Sequence, residues 1–428
     1  MKKKVPYKVG KWLPSDQEFF DDWMKSVIER CEKEEENHLY PPVHALKELI
    51  EGDRELFRLF QLMFDEVPEK YKETPDKHPQ VRDYHHMLKL INHIIHRPPE
   101  FNTTGLVGCP INAVLDWPMA TKAGYVAFMN HRVNDKIRDI LNYWGKYLMS
   151  ADSAKILNTK SNGWLNPLAL ESMCKAAYGS NFLDIFKARS NDINNHYGFT
   201  SWDDFFTREF KEGIRPVEAP DNDDVIANAC ESAPYRIARD LPLRAKYWMK
   251  GQPYSIQDLL HNDLLTQEFV GGTLYQAFLS ALSYHRWHSP VSGTIVKAYN
   301  VYGTYYSEDL YEGFWDNEQV DPAAPDTSQA YITEVASRAI IFIKADNPKI
   351  GLMAFVAVGM AEVSSNEITV KIGQHVNKGD QLGMFHFGGS THCLLFRPGV
   401  NVEFDLRGQT PGLDTHNIKI NERIAVVK

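Results

Sequence analysis

Residues 378–396 read KGDQLGMFHFGGSTHCLLF, so a turn signal, two adjacent glycines and an apolar run follow one another. Lys378-Gly-Asp380 is typical of a turn, and the run His392-Cys-Leu-Leu-Phe396 is typical of a buried strand. Two glycines before Ser390 allow backbone conformations that are closed to other residues, so the Gly389 carbonyl can be presented to the Ser390 hydroxyl. The stretch therefore predicts a β-rich fold in which Ser390 lies between a Gly-Gly pair and a buried strand.

Spacing alone leaves several interpretations of this Gly-Gly-Ser segment open. A serine placed there could attack its own backbone, but a Gly-Gly hairpin turn with an exposed serine is simpler, and spacing favours it. A phosphate cradle is a weaker interpretation because no GxxxxGK[ST] pattern follows. Lys378 could mark a carrier hairpin, yet it sits beside Asn377 and Gly379 rather than between methionines. A structural hairpin is therefore favoured over a carrier.

The sequence on either side of this stretch divides the chain into two halves of different character. β-branched and aromatic runs separated by glycines dominate the second half, for example Gly293-Thr-Ile-Val296 and Ala339-Ile-Ile-Phe-Ile343. From about Glu18 to Ala177 the apolar residues recur at helical spacing instead. We therefore expect an α+β protein with a helical N-terminal domain or extension, residues 1–200, followed by a β-rich catalytic domain, residues 201–428.

Composition restricts the possible partners. The chain has 428 residues, of which 43% are hydrophobic and 24% charged, as in ordinary folded proteins. Its formal net charge of −9 argues against binding to nucleic acid or to anionic lipid. The longest apolar stretch, residues 350–360, is too short to span a bilayer and predicts a buried strand. With no apolar segment after the N-terminal lysines, we expect a cytoplasmic protein without a stable membrane anchor.

Neither a metal site nor a disulfide framework is indicated. The chain has five cysteines, an odd number without a CxxC pair, which favours reduced and mostly buried thiols. His86, His93 and His96 could share one face of a helix and invite a metal hypothesis. No carboxylate accompanies them at a comparable spacing, so exposed or core histidines are favoured and no metal is expected.

Two further clusters carry titratable groups. Tyr284-His-Arg-Trp-His-Ser-Pro290 holds two histidines three residues apart. On a helix the two imidazoles could line one cavity, whereas in an extended segment they would point in different directions. A metal pair or two structural histidines would give the same spacing. Asn228-Ala-Cys-Glu-Ser232 contributes a lone carboxylate, Glu231, which could equally be solvated. Neither cluster decides the function alone.

Together these clusters resemble the phosphatidylserine decarboxylase family from about Phe205 to the C-terminus. Four segments match the family's motifs in order: Phe205-Phe-Thr-Arg208 with Arg215-Pro216, the YHRxHSP signature at 284–290, KGDxLGxF at 378–385, and the Gly-Ser-Thr processing motif at 389–391. The helical half, with Trp164-Leu-Asn166 and Ser201-Trp-Asp-Asp-Phe205, resembles the extension of the soluble L-tryptophan decarboxylases of psilocybin biosynthesis. The resemblance then covers nearly the whole chain.

The resemblance implies that the chain cuts itself between Gly389 and Ser390 and converts Ser390 into a pyruvoyl cofactor. The 39-residue fragment 390–428 would stay bound non-covalently to the rest. His288 would take the Ser390 hydroxyl proton, and His285 would return a proton to the substrate carbon. One departure matters: Glu231 stands where the membrane enzymes have an Asp in a PADG-like segment, and by that match it would orient His288.

The implied reaction is decarboxylation of a free aromatic L-amino acid, with L-tryptophan to tryptamine and carbon dioxide as the best candidate. Three features favour this small-molecule substrate over a lipid: the negative net charge, the helical extension and the lack of a membrane-spanning segment. Phosphatidylserine decarboxylation to phosphatidylethanolamine is the enzymatic alternative, and an unprocessed, non-catalytic binding protein is the alternative from another class. Trp287, Phe385 and Phe387 lie near the reacting groups in sequence, but core roles are favoured for them.

Overall fold

The structure is a computed structural model that describes residues 17–34, 38–67, 80–102, 109–245, 254–307, 328–363, 365–387 and 390–428. The first half of this described chain is mainly helical. Its α-helices are α1 (Gln17–Glu32), α2 (Pro41–Gly52), α3 (Arg54–Asp65), α4 (Tyr84–Ile94), α5 (Pro110–Met119), α6 (Lys122–Met129), α7 (His131–Leu148), α8 (Pro167–Ala176), α9 (Phe182–Ile185) and α10 (Trp202–Phe206).

The longest of these helices, α7, shows how local sequence and packing agree. The Asn130 side chain caps its start by accepting hydrogen bonds from the amides of Arg132 and Val133, at 2.9 and 3.4 Å. Its buried residues recur at helical spacing and include Ile137 and Trp144. No helix in the described ranges is both long enough and apolar enough to cross a bilayer.

The second half contains the strands and two short helices, α11 (Ile256–Leu259) and α12 (Gln329–Val335). The described strands are β1 (Val225–Ala227), β2 (Ala233–Ala238), β3 (Thr273–Leu279), β4 (Arg286–His288), β5 (Gly293–Val301), β6 (Arg338–Ala345), β7 (Leu352–Gly359), β8 (Ser365–Ile368), β9 (His375–Val376), β10 (Gln381–His386), β11 (Ser390–Phe396), β12 (Val402–Phe404) and β13 (Arg423–Val427). The predicted α+β class, with helices first and strands second, is confirmed.

These strands form one large sheet and two small ones, and all of their described pairings are antiparallel. The seven-stranded sheet has the order β2-β3-β11-β7-β6-β5-β9, and the small sheets have the orders β4-β10-β8 and β1-β13-β12. Strand β11 lies inside the large sheet, between β3 and β7, and Ser390 at its start pairs with Leu279 and Gly359. Ser390 therefore begins a strand that is hydrogen-bonded on both sides.

Both faces of the large sheet are covered, which explains the nearly continuous apolar runs of its strands. Along β11, Cys393 and Leu395 join a core shared with the helices, whereas Leu394 and Phe396 join a second core on the other face. The stretch predicted at residues 350–360 contains β7, whose residues are buried apart from the partly exposed Leu352. The prediction of a buried strand there is confirmed.

The helical half and the sheet share their first core. Trp144 of α7 and Trp202 of α10 pack edge-on against Phe387, which follows β10, with ring centroids 5.2 and 5.8 Å apart. The Glu362 carboxylate, just after β7, accepts hydrogen bonds from the amides of Ile111 and Asn112 at the start of α5. The helices therefore pack directly on the segments that surround Ser390.

The strands on either side of the Gly-Gly pair do not form a hairpin. Strand β10 pairs with β4 and β8 in one sheet, whereas β11 pairs with β3 and β7 in another. Ser390 is fully buried rather than exposed. The Gly-Gly hairpin with an exposed serine, which spacing favoured, is therefore wrong, because β10 and β11 find their partners in different sheets. Gly388 and Gly389 themselves lie outside the described residues.

Gly383 gives a test of the packing between β4, β10 and β8. A Cβ atom at Gly383 would lie 2.2 Å from the Glu367 carbonyl oxygen and 2.5 Å from the Trp287 ring. We expect Gly383→Ala to lower the free energy of unfolding by about 1–3 kcal/mol, because the strands must separate to admit the methyl group. Urea unfolding measures the change. Gly52→Ala is the matched control, because nothing lies within 4 Å of its Cβ position; equal stability of the two variants would contradict the prediction.

Candidate active site

Ser390 occupies an unusual position for a serine. It is fully buried at the first residue of β11, and its hydroxyl has no hydrogen-bond partner within the described part of the chain. Burying a hydroxyl without a partner costs free energy, so such groups are rare in native proteins and call for an explanation. The carbonyl that the hydroxyl would attack belongs to Gly389, which lies outside the described residues.

The segment that carries His285 and His288 is extended. Strand β4 pairs with β10, placing His288 opposite Gln381 and Arg286 opposite Met384. Just before β4, the His285 carbonyl accepts a hydrogen bond of 2.9 Å from the Phe385 amide. Of the two arrangements considered for this segment, the extended one is present, so the two imidazoles have different neighbours.

His285 lies beside the end of β10, the strand that leads to Ser390. Its ring is fully buried and stacks on Phe206 of α10, with ring centroids 4.2 Å apart. Phe206 also packs edge-on against Phe387, at 5.7 Å. His285 and Phe387, the residue before the Gly-Gly pair, therefore both contact the Phe206 ring.

His288 is held as a neutral imidazole. Its amide donates to the Ala229 carbonyl at 2.8 Å, and its Nε2 lies 3.3 Å from the Tyr284 hydroxyl. Burial lowers the pKa of His288 to about 4, although its interaction with the Asn421 side chain opposes that shift. At neutral pH the ring is therefore uncharged and able to accept a proton.

Glu231 is almost completely buried and is paired with Arg215. The guanidinium donates to the two carboxylate oxygens at 2.5 and 3.1 Å, and the Ile420 amide donates to one of them at 2.8 Å. Burial raises the pKa of Glu231, and the contacts with Arg215 oppose that shift. Among the described residues, no hydrogen bond or ion pair joins Glu231 to His288, so the predicted orienting contact is not a direct one.

An aromatic stack nevertheless connects the two groups. The Arg215 guanidinium lies 4.3 Å from the centroid of the Phe210 ring, and that ring stacks on Tyr284 at 4.3 Å. Tyr284 then reaches His288 through its hydroxyl. The solvated interpretation of Glu231 is excluded, because the carboxylate is 1% exposed.

Sequence reasoning gave no role to two residues that contact these groups. Tyr284 belongs to the quoted YHRxHSP signature, so its contact with His288 could have been anticipated from the motif. Asn421 lies 31 residues after Ser390 and belongs to no motif quoted above. Its side chain interacts with His288 and donates to the Arg215 carbonyl at 2.9 Å. Only the fold brings it there.

The end of β10 is also fixed by charged contacts. His386 lies between two carboxylates, with its ring nitrogens 2.9 Å from Asp203 of α10 and 2.9 Å from Glu367 of β8. Although burial opposes the charged imidazolium, these two partners raise the pKa of His386. The contacts tie α10, β10 and β8 together four residues before Ser390.

The metal and carrier alternatives find no support in the described contacts. His93 contacts Glu34 at 2.7 Å, His96 stacks on Tyr40, and His86 accepts from a backbone amide, so the three imidazoles serve separate neighbours. Within the described ranges, no group of His, Cys, Asp and Glu has an arrangement that could hold a metal ion. Lys378 is 5% exposed and donates to two backbone carbonyls, which suits a structural turn. All five cysteines are buried and free, as expected.

Comparison with known proteins gives matches in both halves of the chain. Residues 40–173 and residues 202–425 each match a family model described as phosphatidylserine decarboxylase. The second match contains Ser390, both histidines of the 284–290 segment, and Glu231. The first covers most of the described helical half.

Several characterised relatives span most of this chain. The decarboxylase iboD of Amanita muscaria is 43% identical over 330 residues, which are 74% of this chain and 94% of the relative. The L-tryptophan decarboxylase of Psilocybe cubensis is 35% identical over 97% of this chain and 94% of its own length. The phosphatidylserine decarboxylase proenzyme 3 of Schizosaccharomyces pombe is 33% identical over 57% of this chain and 24% of its own length.

A fully buried serine begins a central strand, and two histidines lie on or just before the strand that pairs with β10; together with these matches, the arrangement identifies a decarboxylase. The chain belongs to the phosphatidylserine decarboxylase family, whose members are pyruvoyl-dependent carboxy-lyases. The resemblance deduced from the motifs is confirmed.

The buried pair formed by Arg215 and Glu231 provides a second test. Breaking a buried ion pair leaves an uncompensated charge, so Arg215→Met and Glu231→Leu should each lower the free energy of unfolding by about 3–5 kcal/mol. The double variant should lose clearly less than the sum, because neither charge remains. Urea unfolding of the four proteins, all carrying Ser390→Ala to remove cleavage chemistry, measures the coupling. Additive losses would show that the two side chains do not stabilise the fold as a pair.

Proposed function

We propose that the chain cuts itself between Gly389 and Ser390 and then decarboxylates a free aromatic L-amino acid. L-Tryptophan, giving tryptamine and carbon dioxide, is the best candidate. The observation that carries the proposal is the buried Ser390 hydroxyl without a partner in the described chain, at the start of the central strand. Such a hydroxyl suits a group that is later converted into a buried carbonyl cofactor.

Maturation uses groups of this chain and one water molecule. Neutral His288 takes the proton of the Ser390 hydroxyl, and the oxygen attacks the Gly389 carbonyl, so that the amide becomes an ester. Loss of the Ser390 α-proton then expels the Gly389 carboxylate and leaves a dehydroalanine. Its hydrolysis releases ammonia and leaves a pyruvoyl group at the new N-terminus. Because burial lowers the pKa of His288 to about 4, the imidazole is unprotonated at neutral pH, which is the state that a general base requires.

A pyruvoyl group at residue 390 would supply a carbonyl for the substrate amine and an electron sink for the loss of carbon dioxide. The protein supplies the surroundings and the protons. His285 returns a proton to the substrate carbon, and its full burial against Phe206 keeps that step away from water. Ser390 is accordingly a nucleophile first and part of the cofactor afterwards.

Glu231 acts as a positioning residue for His288 through its partners. Its carboxylate holds the Ile420 amide, and the next residue, Asn421, contacts His288. The same carboxylate binds Arg215, which packs on Phe210. Phe210 in turn stacks on Tyr284, whose hydroxyl contacts the His288 ring. Glu231 thereby fixes the two sides of His288 without touching it.

The 39-residue fragment 390–428 stays bound after cleavage. It supplies β11, which pairs along its whole length with β3 and β7, and β13, which lies between β1 and β12. Leu394 and Phe396 are fully buried, and exposing them would cost about 1.5–3 kcal/mol each. A division of the chain into domains 1–200 and 201–428 is part of the proposal, with the shared core as their interface.

Support for the substrate comes from the relatives. Two L-tryptophan decarboxylases match 97% of this chain at 35% and 36% identity. The net charge of −9 disfavours an anionic lipid surface, and a cytoplasmic location is part of the proposal. Phosphatidylserine decarboxylation is the second candidate, because both matching family models carry that description.

Replacement of the proposed nucleophile tests maturation. We expect Ser390→Ala to remain a single chain of 49.1 kDa without activity, because no hydroxyl is left to attack the Gly389 carbonyl. The wild type should give two fragments in intact mass spectrometry, with the smaller one starting in a pyruvoyl group. Ser153→Ala is the control, since Ser153 is a buried serine of the helical half whose hydroxyl donates to the Leu148 and Ser150 carbonyls, and this variant should still be cut. Two fragments from Ser390→Ala, or an uncut wild type, would refute the proposal.

A substrate panel tests the reaction. The processed protein is assayed for carbon dioxide release with L-tryptophan, L-tyrosine, L-phenylalanine, and phosphatidylserine in detergent micelles. We expect turnover of aromatic amino acids, with tryptophan preferred, and none of the lipid. Turnover of phosphatidylserine alone would establish the second candidate, and a fully processed protein that is inactive on all four would rule out both substrates.

A further inference from the structure

A buried carboxyl group without an assigned role lies close to Ser390. Gly359, the last residue of β7, pairs with Ser390 across the sheet, and Glu362 follows only three residues later. The turn between them contains Ala361 with a φ of +54°, a conformation that non-glycine residues rarely adopt. Strained backbone of this kind often accompanies functional sites.

One carboxylate oxygen of Glu362 is hydrogen-bonded to the helical half. Its Oε1 accepts hydrogen bonds of 2.6 and 2.9 Å from the amides of Ile111 and Asn112, in the first turn of α5. This contact satisfies amides that a helix start leaves without partners. It explains why a carboxyl group is buried here, but it uses only one of the two oxygens.

The second oxygen has no hydrogen-bond partner within the described chain, although the Cys109 thiol also interacts with this carboxyl group. Oε2 of Glu362 makes no hydrogen bond there, and no Lys, Arg or His of the described residues forms an ion pair with this carboxyl group. The residue is 5% exposed, and burial raises its pKa to about 7, against the effect of the amide contacts. A capping role alone leaves this oxygen unexplained.

Two further buried polar groups belong to the same neighbourhood. The Asn112 side-chain nitrogen and the Tyr306 hydroxyl are also without partners in the described chain, and both residues are at most 2% exposed. Burial, with the Glu362 charge as a smaller contribution, holds the pKa of Tyr306 well above its usual value, so the charge of Glu362 is felt at this hydroxyl. Several buried polar groups with unused bonding capacity in apolar surroundings are typical of a binding site.

We propose that Oε2 of Glu362 accepts a hydrogen bond from the side chain of the substrate, and that an indole N–H is the donor it suits. The inference rests on the proposed function and names the residue that selects among aromatic amino acids. Ile111 and Tyr306 give the carboxyl group an apolar and aromatic setting, which suits a flat ring with one polar hydrogen. A phosphodiester would instead meet a buried carboxyl group with no cation beside it.

The substitution Glu362→Gln tests this role with little change of shape. The amide oxygen can still accept from Ile111 and Asn112, while the side-chain NH2 replaces Oε2 and offers a donor where the ring needs an acceptor. We expect kcat/KM for L-tryptophan to fall about 10- to 100-fold, and kcat/KM for L-phenylalanine to stay within about twofold. The tryptophan-to-phenylalanine ratio is the readout, because a general structural defect would lower both values together.

Asp116→Asn is the matched control. Asp116 is a second buried carboxyl group on α5, also with its pKa raised by burial to about 7, but it lies in the next turn of the helix. This variant should keep the wild-type ratio. An unchanged ratio in Glu362→Gln, or an equal change in Asp116→Asn, would overturn the inference.

A substrate analogue gives the same test without any mutation. L-3-Benzothienylalanine has the shape of tryptophan with sulfur in place of the ring N–H, so the wild type should use it about 10-fold less efficiently than tryptophan. If Glu362→Gln does not fold, this comparison decides the matter, and equal efficiency with both amino acids would refute the inference. Lack of turnover of every amino acid would instead refute the proposed function itself.

Discussion

The pairing of β11 on both of its edges is the constraint on which the site depends. Because β3 and β7 hydrogen-bond to it from either side and both faces of the sheet are covered, every residue of the strand is buried. Ser390 begins this strand, so its side chain is removed from water by the same pairing that fixes its position. A side chain at the start of such a strand is held more rigidly than one on a loop, and the neighbouring strands would hold the proposed fragment 390–428.

Removal from water also sets the charge states of His288 and Glu231. His288 is neutral because an imidazolium would lose its hydration there, whereas Glu231 is buried beside Arg215, which compensates its charge. The contacts that fix these groups cross the proposed cleavage site, because Ile420 and Asn421 lie in the 390–428 fragment. Cutting the chain would therefore leave the contacts of His288 and Glu231 intact, since strand pairing rather than the peptide bond holds the fragment in place.

The helical half takes part in the site rather than merely preceding it. Phe206 of α10 stacks on His285 and packs against Phe387, while the start of α5 holds Glu362 beside the end of β7. Both contacts belong to the core that joins the helices to one face of the large sheet. The helices thereby bring aromatic rings to the segment before Ser390 and hold the Glu362 carboxyl group, which the β-rich half supplies.

The sequence by itself determined the α+β class, the order of its halves, the buried strand at residues 350–360 and the family, because these follow from periodicity and from short motifs whose residues are neighbours along the chain. It also placed Ser390, His285, His288 and Glu231 among the candidates. Only the tertiary structure decided that β10 and β11 enter different sheets, that Glu231 binds Arg215 rather than His288, and that Asn421 reaches His288. Strand partners and buried contacts join residues that are far apart in sequence, so no local pattern could specify them.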